Sequence, residues 1–301
     1  MPSHEQVGAF GRPGAGCGPV PLAEVDRNDS DSGGGSMPDL RLGSLVVEVA
    51  GAGAPVVMIH GLGGSSNSFQ PMIEAEDPFL FVRPDLPGAG RSAVRPGSRR
   101  IGGLVSAVRD VLQRCALSRA HFVAHSMGSL VCLQLAVESP EVVLSLTLYG
   151  PVFDPSDGAR RSLAERAAVA RRDGMAGVAD AVIAGSLSAE AKATNPLVAT
   201  VVRAGLMGQD PAGYAAHCEE LGEASVPAIE SVRCPTLLVA SESDPVAPFA
   251  SVQRLQRAIN GSRIERIDGI GHWPMIEAPR ASRQVLHDHL ARLVPQLSLE
   301  H

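Results

Sequence analysis

Apolar residues along the chain fall into short runs that alternate with longer stretches where they recur every three or four positions. The runs at 45–49, 56–59, 79–82, 121–124, 142–149, 236–240 and 263–267 read as strands. Helical spacing fills the gaps at 103–115, 127–138, 249–259 and 281–294. Strands that alternate with helices predict βαβ units, hence an α/β fold with a mostly parallel, twisted sheet flanked by helices. From 151 to 231 the rhythm breaks. That stretch is rich in Ala, Arg and Glu, is punctuated by Gly174, Gly177, Gly185 and Pro196, and contains no strand run. It predicts a helical cap, inserted after the strand that follows the 127–138 helix, with a core built from 39–150 and 232–298.

The ends differ from the middle. Residues 1–38 hold eight glycines and five prolines, including the run Asp29-Ser30-Asp31-Ser32-Gly33-Gly34-Gly35-Ser36. Such a segment buries too little surface to offset its ordering entropy, so a disordered tail is expected. It lacks the charged start and apolar region of a secretory signal, and Met37 offers an alternative start. Leu299-Glu300-His301 resembles a purification-tag remnant and carries no weight for the fold.

Composition then narrows the chemistry. A hydrophobic fraction of 45% over 301 residues is ample for a large core, and no apolar run approaches a membrane span. The 26 basic residues against 32 acidic ones, a net charge of −6, argue against a nucleic-acid partner. Lys192 is the single lysine, which removes a P-loop lysine and argues against Schiff-base chemistry. Cys17, Cys115, Cys132, Cys218 and Cys234 form no C-x-x-C pair and are odd in number. They indicate neither disulfides nor zinc, and suit the reducing cytoplasm. No metal or organic cofactor is implied.

The most informative run is His121-Phe-Val-Ala-His-Ser126-Met-Gly128. An apolar strand ends, a serine follows between small residues, and a helix begins at once, as in a nucleophile elbow. Ala124 and Gly128 give the small residues two before and two after Ser126. Such a serine could equally be a helix N-cap. The second piece, His60-Gly61-Leu62-Gly63-Gly64-Ser65, follows strand 56–59 and can aim backbone N–H groups at an anion. With the residue after the nucleophile it predicts oxyanion donors at Leu62 and Met127. A plain tight turn or a phosphate-binding loop are the rival readings of that run. Asp85, in Asp85-Leu-Pro-Gly88-Ala-Gly90-Arg-Ser92, is expected to bond local backbone N–H groups.

An acid, Asp244, follows strand 236–240, and a histidine, His272, follows strand 263–267 on a glycine loop. The chain order Ser126…Asp244…His272 is the order that a strand-turn-helix nucleophile in an open sheet requires. Asp154 is the main rival acid, and Glu242 should face away. His60 and His125 adjoin the site and are expected to brace loops. His287 and His289 are two apart on one helix and so point to different faces, which disfavours a metal pair. His4 and His301 lie in the tails, and His217 could line a pocket or be solvated.

At these blocks the chain resembles the α/β-hydrolase superfamily over roughly residues 40–294, through HGLGG, DLPGAGRS, AHSMG, the Asp244 loop and GHWPMIEAP. Within it, the chain is most similar to the compact hydrolases related to 3-oxoadipate enol-lactonase. The resemblance implies a serine hydrolase that cleaves a small carboxylic ester or lactone through an acyl-enzyme. Ser126 would be the nucleophile, His272 the base and Asp244 its partner. The meta-cleavage C–C hydrolases are similar too, and share a Trp after the catalytic His, but usually carry Asn where His125 stands. An acyltransferase or perhydrolase, and a non-catalytic small-molecule receptor, are the other readings. An Asp-nucleophile dehalogenase or epoxide hydrolase is excluded by Ser126.

Substrate contacts are expected from Gly61, Phe69, His125, Phe153 and Trp273, with Met175 as a further wall. A substrate carboxylate would call for a cation, for which Arg203 is the candidate. Arg160, Arg161, Arg166, Arg171 and Arg172, in the same segment as Met207 and Tyr214, are expected on solvated helix faces. An apolar cap face leaves a homo-oligomer open.

Overall fold

The computed structural model describes residues 39–94 and 100–293. The expectations for 1–38, including His4 and Cys17, and for 294–301, including His301, lie outside the described residues. Strand character follows from composition. All six residues of Ala120–His125 and all five of Thr236–Ala240 are buried, as strands covered on both faces must be.

In chain order the strands are β1 (Asp39–Leu42), β2 (Leu45–Gly51), β3 (Ala54–Ile59), β4 (Phe79–Pro84), β5 (Ala120–His125), β6 (Val143–Tyr149), β7 (Thr236–Ala240) and β8 (Arg263–Arg266). They form one sheet in the order β1-β2-β4-β3-β5-β6-β7-β8. The pairs β1–β2 and β2–β4 are antiparallel, and the other pairs are parallel. This is the mostly parallel sheet that the alternating pattern predicts. β1 was not expected. Its alternating Asp-Leu-Arg-Leu is too short to register as a run, and its pairing with β2 holds it in place.

Helices α1 (Ile101–Arg114) and α2 (Met127–Glu138) flank the sheet. α1 buries Ile101, Leu104, Val105, Val108, Val111 and Leu112, one stripe at helical spacing. α2 buries nine residues around its circumference, so it is sandwiched in the core. Between β6 and β7 run α3 (Asp157–Asp173), α4 (Met175–Ser186), α5 (Ala189–Thr194), α6 (Pro196–Met207) and α7 (Pro211–Gly222). Three of them start at a polar cap. Ser156 accepts from Ala159 N, Ser188 from Ala191 N, and Asp210 from Gly213 N. After β7 come α8 (Phe249–Ala258), α9 (Pro274–Glu277) and α10 (Pro279–Ala291). The stretch expected to be helical at 281–294 begins earlier, because Pro279 is an ideal first-turn residue.

α7 carries two buried polar groups, His217 and Glu220. His217 is neither solvated nor in a pocket wall, because its Nε2 lies 2.8 Å from the Pro87 carbonyl, under the loop after β4. Glu220 is buried, its Oε2 has no hydrogen-bond partner, and burial raises its carboxyl from 4.5 to about 8. The folded state therefore holds a proton that the unfolded state has released. Stability from this group is full below about 4.5 and declines as pH rises towards 8, by up to about 1.4 kcal/mol per pH unit. Glu220→Gln should have a melting temperature close to wild type at pH 4.5 and above it at pH 8. A constant difference across that range in calorimetry would contradict this account.

Candidate active site

The carboxyl ends of β3, β5, β6 and β7 converge on one rim of the sheet, where loops build sites in open α/β folds. Ser126 sits between β5 and α2 with φ +51° and ψ −119°, outside the region that non-glycine residues favour. Such a conformation costs of order 1–3 kcal/mol and persists only where the surroundings enforce it. The enforcement is visible at Gly128. A Cβ there would collide with the carbonyl oxygens of Ile59 and His60 on the neighbouring strand end, so α2 can start this close to β3 only with glycine.

His272 Nε2 lies 2.8 Å from Ser126 Oγ, and its Nδ1 lies 2.8 Å from Asp244 Oδ2. Asp244 Oδ1 accepts from Val246 N at 2.8 Å and from Ala247 N at 2.9 Å. Burial works against charge on Asp244, but His272 and the two amides outweigh it and hold the carboxyl below its ordinary value. An ionised Asp244 can only accept, so Nδ1 carries the imidazole proton and Nε2 is left to accept from the Ser126 hydroxyl. All three residues are buried.

Two residues that the sequence did not single out hold this relay. Gly150, at the end of β6, has φ +49°, and a Cβ there would stand 3.0 Å from Asp244 Oδ2 and 3.1 Å from His272 Nδ1. A side chain there would press on the pair, and the positive φ would strain it besides. A glycine directly after strand 142–149 and before Pro151 was its only trace in the sequence. Glu277 accepts from Gly271 N at 2.9 Å, Trp273 N at 3.1 Å and Ser188 N at 3.0 Å. One carboxylate thus pins the His272 loop to the start of α5. His272 N also donates to the Ser186 carbonyl at 2.7 Å, and Trp273 Nε1 to Ser186 Oγ at 2.9 Å. An acid in the short helix after Trp273-Pro274 was the available signal.

The neighbouring histidines brace loops. His60 Nδ1 lies 2.8 Å from the Gly61 carbonyl, and its Nε2 accepts from Leu86 N at 3.0 Å. These partners demand a neutral ring, and burial lowers its pKa accordingly. His125 Nε2 lies 2.7 Å from the His272 carbonyl, and burial, reinforced by His272, lowers its pKa to about 3. Asp85 accepts from Ser66 N at 2.7 Å and Arg91 N at 3.0 Å, tying the loops after β3 and β4 together. Asp154 pairs with Arg254 at 3.3 Å, and Glu242 with Arg266 at 2.9 Å, so neither reaches His272. His287 pairs with Asp77 at 3.0 Å, while His289 lies 3.3 Å from Arg263. No cluster of potential metal ligands occurs among the described residues.

Ser126 and His272 open into a cavity of about 700 Å³ between the sheet rim and the helical insertion. Leu62, His125, Phe153 and Trp273 line it. Met127 is the first residue of α2, so its N–H has no intrahelical acceptor. Leu62 N makes no hydrogen bond among the described residues. Phe69 does not line the cavity. It belongs to the 3-10 turn Ser66–Met72, which turns its ring fully into the core. Gly61 lies behind the wall, packed on Ser126 Cβ and the His125 ring. Arg203 is also elsewhere, because α6 presents it to solvent, where it pairs with Asp180 at 2.9 Å. Met175 is buried away from the cavity wall.

Residues 56–284 match the alpha/beta hydrolase family. The chain is 36% identical over 104 residues to the dihydrolipoyllysine-residue acetyltransferase component of the acetoin cleaving system of Cupriavidus necator. That match covers 34% of this chain and 28% of the relative. It is 27% identical over 249 residues to "Putative carbamate hydrolase RutD" of Klebsiella pneumoniae, covering 81% of this chain and 94% of that one. The first of these matches therefore spans less than a third of its relative, whereas the second spans nearly all of it. Among solved structures, the enol-lactonase from Burkholderia xenovorans is 26% identical, with a TM-score of 0.78, over 82% of this chain and 96% of that one. The sheet order, the strained turn at Ser126 and the family match over most of the chain lead to one conclusion: the protein is a member of the alpha/beta hydrolase family.

Proposed function

We propose that the protein hydrolyses a carboxylic ester or lactone through an acyl-enzyme formed on Ser126. The observation that carries this reading is the unbroken relay from Ser126 through His272 to Asp244, with 2.8 Å at each step, in the wall of a cavity. Ser126 Oγ attacks the carbonyl carbon as its proton passes to His272 Nε2, and Asp244 stabilises the imidazolium that forms. The Leu62 and Met127 amides receive the oxyanion, each donor contributing roughly 3–4 kcal/mol in comparable sites. His272 then gives its proton to the departing alkoxide, and that alcohol leaves. Water enters, loses a proton to the same nitrogen and attacks the acyl carbon. Collapse releases the carboxylic acid and returns the proton to Ser126. The five helices between β6 and β7 act as a cap that shapes the cavity.

A fluorophosphonate probe tests the nucleophile directly, since the serine oxygen displaces fluoride from phosphorus. The expected result is one adduct per native chain, mapped by mass spectrometry to Ser126 and absent after denaturation. Labelling of a different serine, or none at all in protein that turns over esters, would overturn the assignment.

A further inference from the structure

The cavity wall is cationic in a chain whose overall charge is −6. Three arginines, Arg166, Arg254 and Arg257, line it, against a single aspartate, Asp154. Arg254 is already engaged, by Asp154 at 3.3 Å and by the Phe153 ring, whose centroid lies 5.5 Å from its guanidinium carbon. Arg166 is different. It is half-buried, on the cavity face of α3 with Ala159, Ser162 and Leu163, and no carboxylate pairs with it among the described residues. Beside it, within reach of both its guanidinium and the Cys218 thiol, lies the buried Tyr214 hydroxyl from α7, which makes no well-aligned hydrogen bond. The Tyr214 ring closes over Gly63, in the loop that carries Leu62. A guanidinium with no carboxylate partner among the described residues and a weakly held phenol therefore stand next to one another, close to the oxyanion loop.

We infer that Arg166 and Tyr214 form an anion subsite that seats a carboxylate on the substrate, distinct from the carbonyl that Ser126 attacks. This rests on the hydrolytic reading above and sharpens it: the substrate is a half-ester or lactone bearing a free carboxylate. The guanidinium fork matches a carboxylate geometrically, and the buried phenol exchanges its poorly aligned contacts for a charge-assisted hydrogen bond when an anionic oxygen arrives. The surplus of positive charge along the wall raises the local concentration of such a ligand. Arg203, the cation that the sequence suggested, cannot serve, because it lies on the outer surface with Asp180.

Two measurements on the full chain test the subsite separately from the reaction. The first compares kcat/KM for mono-p-nitrophenyl glutarate with that for p-nitrophenyl butyrate. The ratio should favour the glutarate in wild type and fall about tenfold or more in Arg166→Gln. Tyr214→Phe should lower it by a smaller factor, and Arg203→Gln should leave the ratio alone. The second titrates glutarate into Ser126→Ala protein, with and without Arg166→Gln, by calorimetry. Binding weakened about tenfold by the Arg166 change supports the subsite even if no ester is hydrolysed, in which case the reaction reading alone fails. Hydrolysis of both esters with a ratio and a glutarate affinity indifferent to Arg166 overturns the subsite and leaves the reaction standing.

Discussion

Ser126→Ala is expected to lower kcat/KM for a p-nitrophenyl ester by about 10⁴–10⁶-fold, with little change in melting temperature. The size follows from the geometry. His272 Nε2 has one partner, Ser126 Oγ at 2.8 Å, and without that oxygen no group at the site can form the ester bond. Stability should hold because alanine keeps the Cβ and the backbone conformation at φ +51° is imposed by the close approach of Gly128 to β3, not by the hydroxyl. Circular dichroism and a thermal melt check the second half. Turnover within tenfold of wild type in folded protein would mean that another group performs the chemistry.

Asp244→Asn should cost about 10⁴-fold in kcat, although it changes neither volume nor shape. Val246 N and Ala247 N both donate to Oδ1, so the substituted amide must keep its oxygen there and turn its NH₂ towards His272 Nδ1. An N–H facing Nδ1 forces the imidazole proton onto Nε2, where it confronts the Ser126 hydroxyl as a donor and cannot act as a base. The stability effect has a definite sign. The Asp244 carboxyl is held below its ordinary value, so its contribution is present at neutral pH and is lost as the pH falls through that lowered value. The melting temperature of Asp244→Asn should therefore lie below wild type at pH 7, with the gap narrowing towards pH 3. A gap that widens on acidification would show that the carboxylate is not stabilised in the folded protein. Wild-type kcat in Asp244→Asn would remove Asp244 from the relay.

The relay was legible because each member sits at a boundary that local chemistry marks. Ser126 lies between an apolar strand and an apolar helix, and Asp244 and His272 follow strands in turns that carry Gly or Pro. The pocket was less legible. Phe69 and Arg203 have the residue types of a binding wall, yet one is turned into the core by a 3-10 turn and the other is turned outward by the phase of α6. Glu277 and Gly150 were silent for a different reason. One accepts from backbone amides of two separate segments, and the other leaves a space between two side chains, and neither relation has a sequence spacing of its own.

Periodicity, turn residues and chain order were enough for the α/β class, the insertion between two strands and the three members of the relay, because these depend on local backbone preference and on the direction in which parallel strands run. Which arginine meets the cavity, which helix face closes over Ser126 and what clamps the His272 loop depended on how five short helices stack on one another and on the sheet rim. Those contacts join residues far apart in the chain through helix phase and packing, to which composition and spacing are blind.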